Sequence, residues 1–356
     1  MDELGVPGEV YLSDWKGFGD HAGKIGSRTE SLRNCDGKAD YAWVIDADDS
    51  VEGNVKFPNS MNHDVYSLRI HRGDFTWWRN QVFRTGIGWK YVGVLHEYAA
   101  CDTPGITGSR LEGDYFIEAR TEGARNVDVS PIEKYSKDAE LLKKALEEEP
   151  ENHRYMFYLA QSYFDSQQWE KAYDAYKVRA EAGGWEEEAF YSYYRMAMCS
   201  TIMEKPLEEQ LYEYLRAYDY RPIRAEPLVQ VSRMLRMKGM PRAAYLYAKQ
   251  ACSIPYPQHD ILFLADDIYS WMALDELGST AFYSHDFNTG LYACRKLIQD
   301  NKFPDSERER IVNNLKQYEL KMMEIQRRQH EQDKSSEEER KKKIKNFNNK
   351  KNKRKK

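Results

Sequence analysis
A chain of 356 residues, 41% apolar and 31% charged, is long enough for two or three separately cored domains and has the composition of a water-facing protein. No apolar run approaches the ~20 residues needed to cross a bilayer, and the opening Met1-Asp-Glu-Leu-Gly-Val-Pro-Gly8 has no basic stretch leading into an apolar one, so no secretory leader is expected. The net charge of −5 hides an asymmetry: from Arg340 onward there are 11 basic residues and no acidic one, which leaves about −16 on the rest of the chain.

In chain order, Glu9-Val-Tyr-Leu12 is the first strand candidate. The next run, Tyr41-Ala-Trp-Val-Ile-Asp46-Ala-Asp48-Asp49, reads as a buried strand that ends in three carboxylates. Carboxylates there need compensation. Two of them one residue apart can lean on a single hard cation, Mg²⁺ or Mn²⁺, that also takes phosphate oxygen. An acidic turn built from Asp for local hydrogen bonding is the simpler alternative. Tyr66-Ser-Leu-Arg-Ile-His71 alternates like a strand. Gln81–Arg84 and Trp89–His96 read as two more, with Gly86 and Gly88 in the turn between them.

The texture changes near residue 130. Ile132 to Glu149 predicts one helix, apolar at Tyr135, Ala139, Leu142 and Leu146 and stopped by Pro150. From Asn152 onward, paired helices with tetratricopeptide spacing are expected: Ala160, Tyr163, Ala172 and Tyr176, then again Ser232, Leu235, Gly239 and Ala244. A further unit is placed at Ile261–Ala265, and a last helix at Ser306 to about Gln329. The small residues let paired helices approach and the aromatics fill the gaps between pairs. The basic tail from 331 to 356 is too polar to fold alone. It could touch nucleic acid, an acidic surface or anionic lipid, or remain solvated, and no nucleic-acid function is built on it. Five scattered cysteines without a CxxC pair support neither a zinc site nor a disulfide framework, and point to a reducing, cytoplasmic setting.

Several segments together resemble family-two glycosyltransferases of the GT-A type fused to tetratricopeptide-like repeats. They are Trp15-Lys-Gly-Phe18-Gly with Arg28-Thr29, Asp46-Ala-Asp48-Asp49, Phe83-Arg84, and Gly88-Trp89-Lys-Tyr91-Val-Gly93-Val-Leu-His96-Glu97. Farther on come Arg120-Thr-Glu-Gly123-Ala-Arg125, Lys134-Tyr-Ser-Lys-Asp138, Tyr155–Tyr163, Gly183-Gly184-Trp185 and Tyr220-Arg-Pro-Ile-Arg224-Ala-Glu226-Pro227.

The resemblance implies an α/β GT-A-like domain over 1–130 and an all-α repeat domain over 131–330. It also implies a metal-dependent enzyme that moves a sugar from a nucleotide diphosphate donor to a protein or glycan acceptor, with inversion, the repeats holding the acceptor. Asp46 and Asp48, with His96, would hold Mn²⁺ or Mg²⁺ and neutralise the leaving diphosphate. Arg84 would pair with phosphate and Trp89 would contact the donor, with Tyr91 as a stacking surface. Glu97, with Asp49 second, would be the general base. Each has a structural alternative: a hydrogen-bonded histidine, an exposed strand arginine, packed aromatics. Only 45 residues precede Asp46, so the opening strands of the nucleotide-binding unit are expected to be missing from a doubly wound sheet. The alternative is a catalytically inactive repeat-containing binding or scaffold protein that retains a transferase remnant. A phosphohydrolase of the haloacid dehalogenase type also has a strand running into DxD. It needs Thr or Val at the fifth motif position, where Ser50 stands here.

Overall fold
The structure is a computed structural model and describes residues 8–72, 75–120 and 129–353. The chain forms two compact units, Met1–Gly184 and Trp185–Lys356.

The first unit opens with an extended stretch. The strand expected at Glu9–Leu12 does not form there, because Val10 and Leu12 are exposed and have no neighbour to pair with. A short helix α1 (Ser27–Arg33) precedes eight strands: β1 (Tyr41–Trp43), β2 (Ser50–Gly53), β3 (Val65–Arg72), β4 (Phe75–Arg84), β5 (Trp89–Val92), β6 (Tyr98–Cys101), β7 (Gly108–Arg110) and β8 (Tyr115–Glu118). The main sheet runs β1-β4-β3-β8-β2, with β7 also on β3, and β5 pairs with β6 apart from it. Alternation in β3 sends Tyr66, Leu68 and Ile70 to one core with Val82 and Ile117. The alternate position Val65, with its partner Phe83, faces a second core with Leu32, Trp89 and Tyr91, and a bulge shifts the register between Tyr66, opposite Val82, and Ser67, opposite Asn80.

This topology overturns the expected GT-A sheet. A doubly wound sheet needs parallel strands joined by helical crossovers. Here β1/β4, β3/β4 and β2/β8 are antiparallel; β3 runs parallel to β7 and β8, but among the described residues no helix lies between β1 and β8 to make a crossover. β1 is a short edge strand rather than a buried one, and Ile45 beyond it is exposed. The strand expected over Trp89–His96 stops at Val92, since Gly93 (φ 116°) and His96 (φ 51°) leave extended geometry. Of the segment Arg120–Arg125, residues 121–125 lie outside the described residues.

The helix α2 (Pro131–Glu148) starts where the sequence places it. Ser130 accepts a hydrogen bond from Glu133 N at 3.2 Å, Pro131 takes the first turn, and Ala139 and Leu142 are buried. With α3 (His153–Asp165) and α4 (Trp169–Glu181) it belongs to the first compact unit, which runs to Gly184. Leu142, Ala145 and Tyr155 share a core with Leu95 from the segment after β5. The Tyr155 hydroxyl accepts from Val94 N and lies 3.1 Å from His21 Nδ1, and burial pushes its pKa up to about 12. Ala160, Ala172 and Tyr176 have no exposed surface, which is the close approach their spacing implies.

The second unit is a series of helical hairpins: α5 (Glu186–Ile202) with α6 (Leu207–Tyr220), and α7 (Glu226–Met237) with α8 (Pro241–Ser253). A π-helical turn Ile268–Met272 then leads into α9 (Ala273–Thr280), followed by α10 (Phe287–Asp300) and α11 (Asp305–Lys353). Ser232 and Ala244 are fully buried at the α7–α8 contact. Gly290 lets α10 and α11 touch, because a Cβ there would stand 2.1 Å from the Tyr318 ring. The unit expected at Ile261–Ala265 begins later. Those residues form a connection in which Ile261 is 79% exposed and Phe263 has φ 46°. The tail read as unfolded is instead helical to Lys353, and its described side chains from 326 to 343 are exposed.

What orders that connection is a buried ionic network. Arg224 is 1% exposed. It donates to Glu226 (2.7 and 3.0 Å), to Asp260 (3.1 Å) and to the Phe263 carbonyl (3.2 Å), and lies over the Phe190 ring. Arg221 grips Asp260 with two bonds of 2.9 and 2.5 Å. Glu187 accepts from Ile261 N and Leu262 N at 2.8 and 2.7 Å. Burial alone would raise the Asp260 carboxyl, but the two guanidinium groups more than offset it and hold it below the ordinary 3.8. Removing one member strands charges that cannot reach water. Arg224→Ala is therefore expected to lower unfolding stability by roughly 3–5 kcal/mol, measured by urea titration. Because the folded Asp260 carboxyl lies below its unfolded value, its contribution is present above about pH 4 and is lost as pH falls through the folded pKa. Acid titration of Asp260→Asn should lack that loss.

Candidate functional site
The acidic turn after β1 is not an open carboxylate cluster. Arg28, on α1, reaches Asp46 Oδ1 at 2.6 Å and Glu97 Oε1 at 2.8 Å. Arg79, on β4, lies 3.5 Å from Asp46 Oδ2 and 3.2 Å from Asp49 Oδ2. Burial opposes the charge on Arg28, yet Asp46 and Glu97 outweigh it and raise its pKa. Asp49, whose side chain is 4% exposed, is raised by burial against the pull of Arg79. Tyr91 lies in the same neighbourhood, and burial pushes it up to about 12. The structure thus brings Asp46, Asp49 and Glu97 onto two guanidinium groups. The sequence does not single out Arg28 and Arg79 for this role, because only the tertiary fold places α1 and β4 against the turn.

The other expected site residues go elsewhere. Arg84 pairs with Asp64 at 2.9 Å and lies over the Tyr41 ring. Trp89 is 7% exposed, with its ring 5.0 Å from Phe83, so it packs. His96 stacks on Tyr158 with centroids 3.9 Å apart, and its carbonyl accepts from Arg154. Asp48 is half-buried in the turn. Among the described residues no group of three or more His, Cys, Asp or Glu side chains is disposed to hold a metal ion. The donor set does not fit Mn²⁺ or Mg²⁺ either, because Asp46 would have to give up Arg28, and two arginines beside the turn repel a cation.

The second unit contains a cavity of about 320 Å³. Its lining comes from first helices of successive hairpins: Arg233, Arg236 and Met237 on α7, Trp271 and Met272 in the π-helical turn with Asp275 and Glu276 on α9, and Glu307 and Arg310 on α11. The three- and four-residue spacings put these positions on one face of each helix. Arg236 is bidentate to Glu276 (2.9 and 2.7 Å), and Arg310 is bidentate to Asp275 (2.9 and 2.8 Å).

No family model matches the chain, and no curated protein matches it. It is similar to the solved structure of MamA, at 14% identity and TM-score 0.38, over 48% of this chain and 90% of that one. It is similar to YrrB, described as a TPR protein with an unusual peptide-binding site, at 18% identity and TM-score 0.34, over 47% of this chain and 78% of that one. A thermophilic TPR protein of Thermus thermophilus is 15% identical with TM-score 0.35, over 51% of this chain and 91% of that one. The glycosyltransferase resemblance does not stand. The sheet topology, antiparallel at its centre, departs from it.

If the turn is an ion-pair network, millimolar Mn²⁺ should leave the melting temperature of the full chain unchanged, read by calorimetry. A rise of several degrees would contradict the pairing. Arg28→Ala should cost roughly 1–3 kcal/mol in urea unfolding, because it leaves two partly buried carboxylates without their donor.

Proposed function
We propose that the chain is a repeat-containing binding protein whose helical hairpins hold a segment of a partner polypeptide. The carrying observation is the cavity lined by first helices of three successive positions in the array, with charged and apolar side chains together. A hairpin array repeats one face at regular intervals, and an extended chain presents side chains at regular intervals to match it. The Arg236–Glu276 pair ties α7 to α9 and the Arg310–Asp275 pair ties α9 to α11, so the face is formed before a partner arrives. The first unit contributes a sheet domain in which the candidate acids are neutralised by arginines.

The test is selection of short random peptides displayed on phage against the full chain, followed by hydrogen-exchange mapping of the enriched ones. Protection is expected at the lining residues of α7, α9 and the first turns of α11. Enrichment of nothing, or protection confined to α8 and α10, would contradict the reading.

A further inference from the structure
The charged groups of the cavity lining are paired with one exception. Glu276 is occupied by Arg236 on both oxygens and by the Ser232 hydroxyl at 3.3 Å. Asp275 is occupied by Arg310 on both oxygens, and Glu307 receives Arg310 at 2.7 Å. All three acids of the lining are therefore answered. Of the three arginines, Arg236 and Arg310 are used in these pairs. Arg233, one turn before Arg236 on the same face of α7, has no ion-pair or hydrogen-bond partner among the described residues. A guanidinium carries five N–H donors in a fixed fork and no acceptor. Arg233 is exposed, so water meets these donors, and an anionic acceptor can replace that water without breaking an existing pair. A cation would have to break an existing pair.

The rest of the lining narrows the anion. Met237, Trp271 and Met272 supply an apolar wall beside Arg233, and Met side chains adapt to the shape they meet. A carboxylate carries one charge, matches the guanidinium fork with two parallel bonds, and can be flanked by an apolar side chain in the same segment. A phosphate, with close to two charges, would stand among Asp275, Glu276 and Glu307 with only Arg233 to answer it. We propose that this cavity takes an Asp or Glu side chain of the bound segment, seated on Arg233, with a neighbouring apolar side chain against Met237, Trp271 and Met272. The inference rests on the polypeptide-binding reading above and specifies the charge of the partner.

The experiment uses the full chain and three fluorescein-labelled peptides of equal length: one alternating Glu with Leu and Phe, one with each Glu replaced by Gln, and one with each Glu replaced by Lys. Fluorescence anisotropy should show the Glu peptide binding about tenfold or more tighter than the Gln peptide, with the Lys peptide weakest. Arg233→Glu should erase or reverse that order, and Arg233→Lys should keep the order with weaker affinity. Arg233 is exposed and unpartnered among the described residues, so these variants should retain the wild-type melting temperature, which is measured alongside. Equal affinity for the Glu and Gln peptides, or an unchanged order in Arg233→Glu, would overturn the proposal. If none of the three binds while phage-selected peptides do, the acidic anchor is wrong and the binding reading survives. If no peptide of either origin binds, both fall.

Discussion
A guanidinium group that cannot reach water has to be met by carboxylates, and much of the second unit is arranged around one such group. Arg224 sits between α6 and α7 with 1% of its surface exposed. Its partners arrive from two places: Glu226 from the start of α7, and Asp260 with the Leu262 and Phe263 carbonyls from the connection after α8. Glu187 on α5 then takes two backbone N–H groups from the connection. One ionic cluster therefore joins the α5–α6 and α7–α8 hairpins to the approach to α9. The interior desolvates all of these charges, so the arrangement is favourable only when every member is present. Hairpin arrays gain stability mainly from contacts between neighbours, and the Arg224 cluster adds a contact that spans more than one neighbour.

The first unit follows the same rule with a different outcome. Its acids Asp46, Asp49 and Glu97 meet Arg28 and Arg79 at a partly exposed turn. A strand that ends in carboxylates calls for compensating positive charge, and here Arg28 and Arg79 supply it. The same short motif has two compensating solutions, and one-dimensional spacing does not distinguish them.

This is where legibility in the sequence begins and ends. The 3.6-residue period and the small-residue spacing place α2, the α3–α4 pair and the α7–α8 pair, because burial of Ala160, Ala172, Ser232 and Ala244 is a local consequence of helix geometry. The alternation in β3 shows its inward face for the same reason. Sheet order cannot be read in this way. Tyr41–Trp43 has the composition of a central strand, yet it pairs on one side only, with a strand about forty residues later in the sequence. The Tyr220–Pro227 segment stands out without a reason that the sequence can give. Its Arg221, Arg224 and Glu226 acquire one only when Asp260 and Glu187 are brought to them from farther along the chain and from an earlier helix. The charged cavity has no signature in the sequence, since its lining is spread from 233 to 310 and each residue alone looks like a solvated helix position.

Whether the Arg224 cluster holds the hairpins in place before any partner binds is read from native-state hydrogen exchange at the Ile261 and Leu262 amides. These two N–H groups lie in an irregular connection, with Ile261 itself 79% exposed, and their acceptor is Glu187 on a distant helix. A closed cluster gives slow exchange, with an opening free energy close to that of global unfolding. Exchange at the rate of an ordinary exposed loop would show that the cluster opens freely, and would contradict the account.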